Sequence, residues 1–227
     1  IILAAMTAMA QQVKYSVCGT YAKDGEKVYL SDKLTNKEID SVTVANGKFS
    51  FSGTADKDAL MGVSATKNWV TVFFNDGTPV TVNLNYSTLI GSPLNERLTK
   101  YDIEADIPLR NMRAKLSKMT EAEMQSHAEE LMEEITKAQN AQIAMANKIF
   151  QDERNTLIPV AFSELYFVDN GVDAYDDLVK ENVAFASHPY LKKARDEVAA
   201  LMQPQDSEKT AFIGQQFTDL EMADAEG

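Results

Sequence analysis

Between residues 13 and 85 the apolar positions come in short alternating runs separated by turn residues. VKYSVCGTY, KVYLSD, IDSVTVA, KFSFSG, ALMGVSA, WVTVFF and PVTVNL follow one another, with KDGE, Asn46-Gly47 and Asp76-Gly77 as punctuation. Alternation of period two, bounded by Gly, Asn and Asp, is the pattern of half-buried strands. Asn46-Gly47 is the sharpest local signal, because a two-residue type I′ turn needs positive φ at both central positions. It predicts a hairpin in which residues 41–45 pair antiparallel with residues 48–52. Val42, Val44, Phe49 and Phe51 would then lie on the covered face. Gly19, inside the first run, marks a bulge or a close approach of backbone.

From Ser92 onward the period lengthens. Ser92 is placed as an N-cap and Pro93 at the first helical position, where its missing N–H costs nothing. Leu94, Leu98 and Tyr101 share a face, and Pro108 is expected to kink or split the helix before Met112, Leu116 and Met119 continue the stripe. Thr120 and Glu123 form a capping box. It opens one long amphipathic helix over residues 121–152, ~45 Å at 1.5 Å per residue. Its stripe runs through Met124, Ala128, Leu131, Ile135, Ala138, Met145 and Ile149, with Gln142 as the polar intruder. Three shorter helices follow. One covers residues 159–168 and ends at Asn170-Gly171; a second covers 174–180; a third covers 189–202, after Ser187 and before Pro204. The pattern defines an α+β chain: an N-terminal antiparallel β-sandwich or half-barrel, a helical segment, and a short extended C-terminal tail. The corresponding parts are residues 1–10, 11–90, 91–203 and 204–227.

Charge narrows the range of partners. The 227 residues carry a formal net charge of −12, which argues against nucleic acid, whose binding needs clustered Lys and Arg. Residues 11–90 are balanced at eight Lys against eight acidic groups, whereas residues 91–211 hold fourteen basic and twenty-two acidic ones. The surplus is read as a solvated helical surface. The opening IILAAMTAMA is uncharged, apolar and too short to span a bilayer, and it ends in Ala8-Met9-Ala10 before Gln11-Gln12. That is the small-x-small pattern of a signal-peptide cleavage site, so residues 1–10 are read as a signal-peptide remnant and the chain as exported to the periplasm or cell envelope.

Candidate chemistry is sparse. Cys18 is the sole cysteine and is read as a small core residue of a strand. It can form no C-x-x-C pair or thiolate metal cluster. His127 and His188 lie sixty-one positions apart, without a nucleophile or carboxylate pattern, and are read as surface or capping residues. Glu129, Glu130, Glu133 and Glu134 are read as the wet face of the long helix. Trp69 and Tyr86 are the aromatics that a small-ligand or glycan site on the β domain would use. No catalytic, cofactor-binding or metal-binding residue is assigned, and no cofactor is expected.

Order along the chain carries a resemblance. CGTYAKDGEKVYLSD, IDSVTVANGKFSFSGTADKDALMGV, FFNDGTPVTVNL and LIGSPLNERLTKY resemble the N-terminal domain of unknown function found before the thioredoxin-like module of TlpA-like, redoxin-type envelope thiol–disulfide oxidoreductases. The matching positions are Gly19, Asp40-Ser41, Gly47 with Phe49 and Phe51, and Gly91-Ser92-Pro93-Leu94-Asn95. IGQQFTDLEMADAEG is similar to the entry into that module at Gly214, Phe217, Asp219, Leu220, Met222, Asp224 and Gly227. The resemblance implies that residues 204–227 are a linker and the first residues of a thioredoxin-like module whose catalytic cysteines would lie further on. It implies a non-catalytic module serving interaction, dimerisation or positioning, with a fused thioredoxin-like domain, a protein partner or a second copy as its contact. The other reading is a free-standing envelope protein that binds a protein or a small ligand.

Overall fold

The structure is a computed structural model that describes residues 11–66 and 69–202. The signal-peptide reading of residues 1–10 and the readings of residues 204–227 lie outside the described residues. Eight strands come first: β1 Gln12–Thr20, β2 Lys27–Asp32, β3 Lys37–Thr43, β4 Lys48–Asp56, β5 Leu60–Thr66, β6 Trp69–Phe74, β7 Val80–Asn83 and β8 Thr88–Ile90. They form two four-stranded sheets, ordered β4-β1-β7-β8 and β3-β2-β5-β6. All pairs are antiparallel except β1 with β7, which run parallel from Val17↔Val80 to Thr20↔Asn83.

The expected hairpin at Asn46-Gly47 is not what forms. The turn is present, with φ of 53° and 69° at its two centres, and Ala45 bridges Lys48. Beyond that bridge the strands part. β3 pairs with β2, from Val28↔Val42 to Asp32↔Lys37 and beyond, while β4 pairs along its whole length with β1. The turn therefore carries the chain from one sheet to the other. The alternation of Val44, Phe49 and Phe51 is preserved, because both sheets direct those side chains into the same interior. There they pack with Tyr15, Val17, Leu30, Val63 and Val82 in one cluster. Gly19 is a close approach, as expected: a Cβ there would lie 2.3 Å from the Phe49 ring and 2.4 Å from the Val82 carbonyl oxygen.

The helices are α1 Pro93–Leu116, α2 Glu121–Ser126, α3 Ala128–Asp152, α4 Ser163–Asn170, α5 Ala174–Lys180 and α6 Pro189–Met202, with a 3₁₀ turn at Ile158–Phe162 ahead of α4. Pro108 does not split the first helix. α1 is continuous, because Ala105 and Met112 are buried on either side of the proline and hold both halves in place. The long helix over residues 121–152 is instead two. His127, at φ −115° and ψ 21°, leaves the helical region between α2 and α3. That break shifts the phase of the stripe, so Leu131, Ala138 and Ile149 are buried while Met124 is half-buried and Ala128 exposed. The Thr120–Glu123 capping box forms in full, and Gly171, at φ 79°, ends α4.

One face of the second sheet is covered by helices. Leu60 and Phe74 point away from the sandwich interior and join Leu98, Ala146, Ile149, Phe185, Leu191 and Ala194 in a second core. Full burial of such side chains is worth roughly 1.5–3 kcal/mol each, so this core fixes the helices to the sheet. The outer face of the first sheet carries exposed Ser16, Cys18, Thr20, Ser50, Ser52 and Thr81.

Candidate functional site: a cleft where the sandwich meets the helices

The Gly91-Ser92-Pro93-Leu94-Asn95 segment sets the position of α1. Ser92 Oγ accepts from the Asn95 N–H at 3.3 Å, and Pro93 begins the helix. Asn95, fully buried, accepts from the Phe74 N–H at 2.7 Å and donates its side-chain amide to the Phe74 carbonyl at 2.9 Å. β6 is an edge strand, and the side chain of Asn95 pairs with its backbone as a neighbouring strand would. A second set of bonds holds α6. His188 Nδ1 accepts from the Tyr190 N–H at 3.2 Å, which leaves Nε2 to donate to the Asp58 carbonyl at 3.0 Å. The ring stands edge-on to Phe74, and Lys193 Nζ donates to the Lys33 carbonyl at 3.0 Å. Burial holds the His188 ring below its ordinary value of 6.5, against the pull of the Asp58 carbonyl.

Past this clamp, α1 runs beside a cleft of about 270 Å³. α1 supplies Asp102, Asp106, Arg110 and Arg113; the opposing walls are Val70 of β6, Ser87 of the β7–β8 turn, Gln142 of α3, and Phe162 and Leu165 at the start of α4. Asp106 accepts from Arg110 at 3.1 Å and from Arg113 at 2.5 Å. Asp102, one turn earlier on the same face, has neither a hydrogen bond nor an ion pair among the described residues. Burial, and then the charge of Asp106, push its carboxyl up to about 6; Arg110 pulls the other way. Glu153 shows the contrast. It is more deeply placed, but Arg97 at 3.0 Å, the Tyr101 hydroxyl at 3.1 Å and Thr156 Oγ1 at 3.0 Å satisfy it, as a structural ion pair requires. Sequence reasoning missed Asp102. A lone Asp at an i, i+4 spacing from another reads as wet helix surface until the sheet that covers it is known.

The residues that the sequence singled out are dispersed. Cys18 is exposed on the outer face of the first sheet, not in the core, because β1 alternates and Val17 takes the interior position. Its Sγ lies 3.4 Å from Thr81 Oγ1. His127 is exposed and caps α2, its Nδ1 2.9 Å from the Glu123 carbonyl. His188 caps α6, as expected, but is also half-buried against the sheet. Glu134 pairs with Lys115 across to α1, while Glu130 lines an open groove of about 690 Å³ with Met119, His127 and Leu131. Tyr86 is 72 % exposed at the β7–β8 turn, and the Trp69 side chain lies outside the described residues.

Comparison with known proteins adds one finding. Residues 15–98, the sandwich with the first turns of α1, are similar to a family described as a domain of unknown function (DUF4369). No curated protein matches the chain. Among the described residues no helix is long and apolar enough to cross a membrane, and no group of three or more His, Cys, Asp and Glu side chains could hold a metal ion.

Proposed function

We propose that this chain is the non-catalytic N-terminal module of an exported thiol–disulfide oxidoreductase-like protein of the periplasm or cell envelope. Its work is to position a following thioredoxin-like domain, with dimerisation or client contact as further uses of the same scaffold. The observation that carries this reading is the anchoring of α6, the last described element. His188, Lys193 and the buried Tyr190, Leu191 and Ala194 tie it to the second sheet and the helical core. A domain joined after Met202 is thus tethered to a rigid helix. The order of motifs from Gly19 to Asn95, and the likeness of residues 214–227 to a redoxin entry segment, support the same reading.

The test is the intact mass and thiol count of the protein isolated from its native envelope fraction. The expected result is a mass well above 25.1 kDa with a titratable dithiol. A mass no greater than that of this chain, with a single thiol, would refute the reading.

A further inference from the structure

Independently of that reading, we propose that the cleft between α1 and the sandwich is a binding site for an ammonium or guanidinium group carried on a short apolar stem, with Asp102 as its counter-ion. Three observations converge. The cleft lies at the junction of two packed lobes, where ligand sites concentrate, and its 270 Å³ suits a small group and not a flat surface contact. Its walls divide by chemistry: Val70, Phe162 and Leu165 give an apolar side, and the charged groups among the described residues come from α1. Of those charges, Asp106 is already engaged by Arg110 and Arg113, which leaves Asp102 as a half-buried carboxylate that no hydrogen-bond donor among the described residues reaches. Partial burial of a carboxylate without a hydrogen-bonded partner is costly. A cation entering along the apolar wall would supply the missing donors, and its stem would cover Val70 and Leu165.

Among the described residues no acidic group faces Asp102 from across the cleft. β6 brings Val70, the β7–β8 turn Ser87, α3 Gln142 and α4 Leu165, so Asp106 and Arg110 of its own helix are the charges that set its ionisation. The ligand charge must compete with a proton, and binding weakens as Asp102 protonates. A free small amine and the basic side chain of a peptide share this chemistry, and separate probes distinguish them.

The experiment is a titration of the whole chain, followed by amide chemical shifts of residues 102–106 and 162–165. The probes are n-butylammonium, n-butylguanidinium, the peptide acetyl-Gly-Lys-Gly-amide, and n-butanol as the uncharged control. Saturable shifts are expected with at least one cation and not with butanol. Affinity should fall at least tenfold in Asp102→Asn and decline on acidification from pH 7.5 to pH 5 in the unmodified protein. A response confined to the alkyl cations identifies a free amine or guanidine as the ligand; one confined to the peptide identifies a basic side chain. Absence of saturation by every cation at 20 mM would overturn the proposal. Affinity unchanged in Asp102→Asn would do so too, and the pH series on the unmodified protein decides the matter if that variant folds poorly.

Discussion

Replacing Asn95 by Ala tests how α1 is joined to the sandwich. The substitution leaves the buried Phe74 N–H without a partner and takes one of two donors from the Phe74 carbonyl, which keeps the Asp76 N–H at 3.0 Å. Each buried backbone group left without a partner costs about 1–3 kcal/mol. One such group, a weakened carbonyl and a small void therefore predict a loss of about 2–4 kcal/mol. Typical domains have a total stability of only about 5–15 kcal/mol, so the variant should be visibly weakened in a urea titration, with the midpoint well below that of the unmodified chain. The Phe74 amide should also exchange much faster with solvent, while amides at the β1–β4 pairing change little. Asn95→Asp sharpens the test. The ionised side chain can still accept from the Phe74 N–H but presents a negative charge to its carbonyl, whereas the protonated acid restores the donor. The Asp variant should be poor at pH 7.5 and recover part of its stability toward pH 4. A cost below 1 kcal/mol for Asn95→Ala, or an Asp variant as stable as the original at pH 7.5, would show that the clamp does not operate as described.

Further outcomes follow from single residues. Asp102 holds its proton up to about 6, against 3.8 ordinarily, so the folded state binds more protons than the unfolded one across that window. Stability therefore falls as pH rises from about 4 to 6, and the full cost, ~3 kcal/mol at 1.36 kcal/mol per pH unit, stands above it. Asp102→Asn should gain up to that amount at pH 7.5 and almost none at pH 3.5; equal gains in melting experiments at both values would contradict the cause assigned. His188 is held below 6.5, so the unfolded chain takes up that proton first and stability drops as pH falls through 6.5 and below. An NMR titration of its ring should give a midpoint under 6.5, and a midpoint at or above it would contradict the burial argument. Gly19→Ala sets a Cβ against the Val82 backbone oxygen at 2.4 Å, which cannot swing aside. A loss of about 2–3 kcal/mol is expected, and a urea midpoint matching the original would refute the clash.

Local features proved legible in the sequence, and non-local pairing did not. The caps at Ser92, Thr120 and Gly171 stand where the residue types place them, because a cap is satisfied by atoms within a few residues of it. Asn46-Gly47 shows the boundary of that logic. The turn has the backbone its residues demand, yet the strand after it pairs with β1, some thirty positions earlier. That choice depends on which sheet offers Phe49 and Phe51 the better interior, and no turn residue encodes it. Cys18 was misplaced for a related reason: alternation fixes two faces but does not say which is inward until Val17 and Tyr15 are seen to meet β2 and β4. Asn95 was visible as part of a motif while its partner, Phe74, was not. The cleft was illegible altogether, because Asp102, Val70, Ser87 and Leu165 meet only after both lobes have packed.

The position of β1 sets the order in which the protein can assemble. It is the earliest described strand in the chain, yet it lies inside its sheet, between β4 and β7. Its partners begin about thirty and sixty residues later. During synthesis β1 emerges and must wait unpaired until β4 follows, and keeps one edge open until β7 does, while β2 and β3 close on each other almost at once. Contacts of such long separation slow folding, since loop-closure entropy is lost before any pairing compensates it. The second sheet is thus the natural early structure and the first sheet the late one, and in that interval β1 is a waiting strand, with both edges open at first and one edge open once β4 has joined.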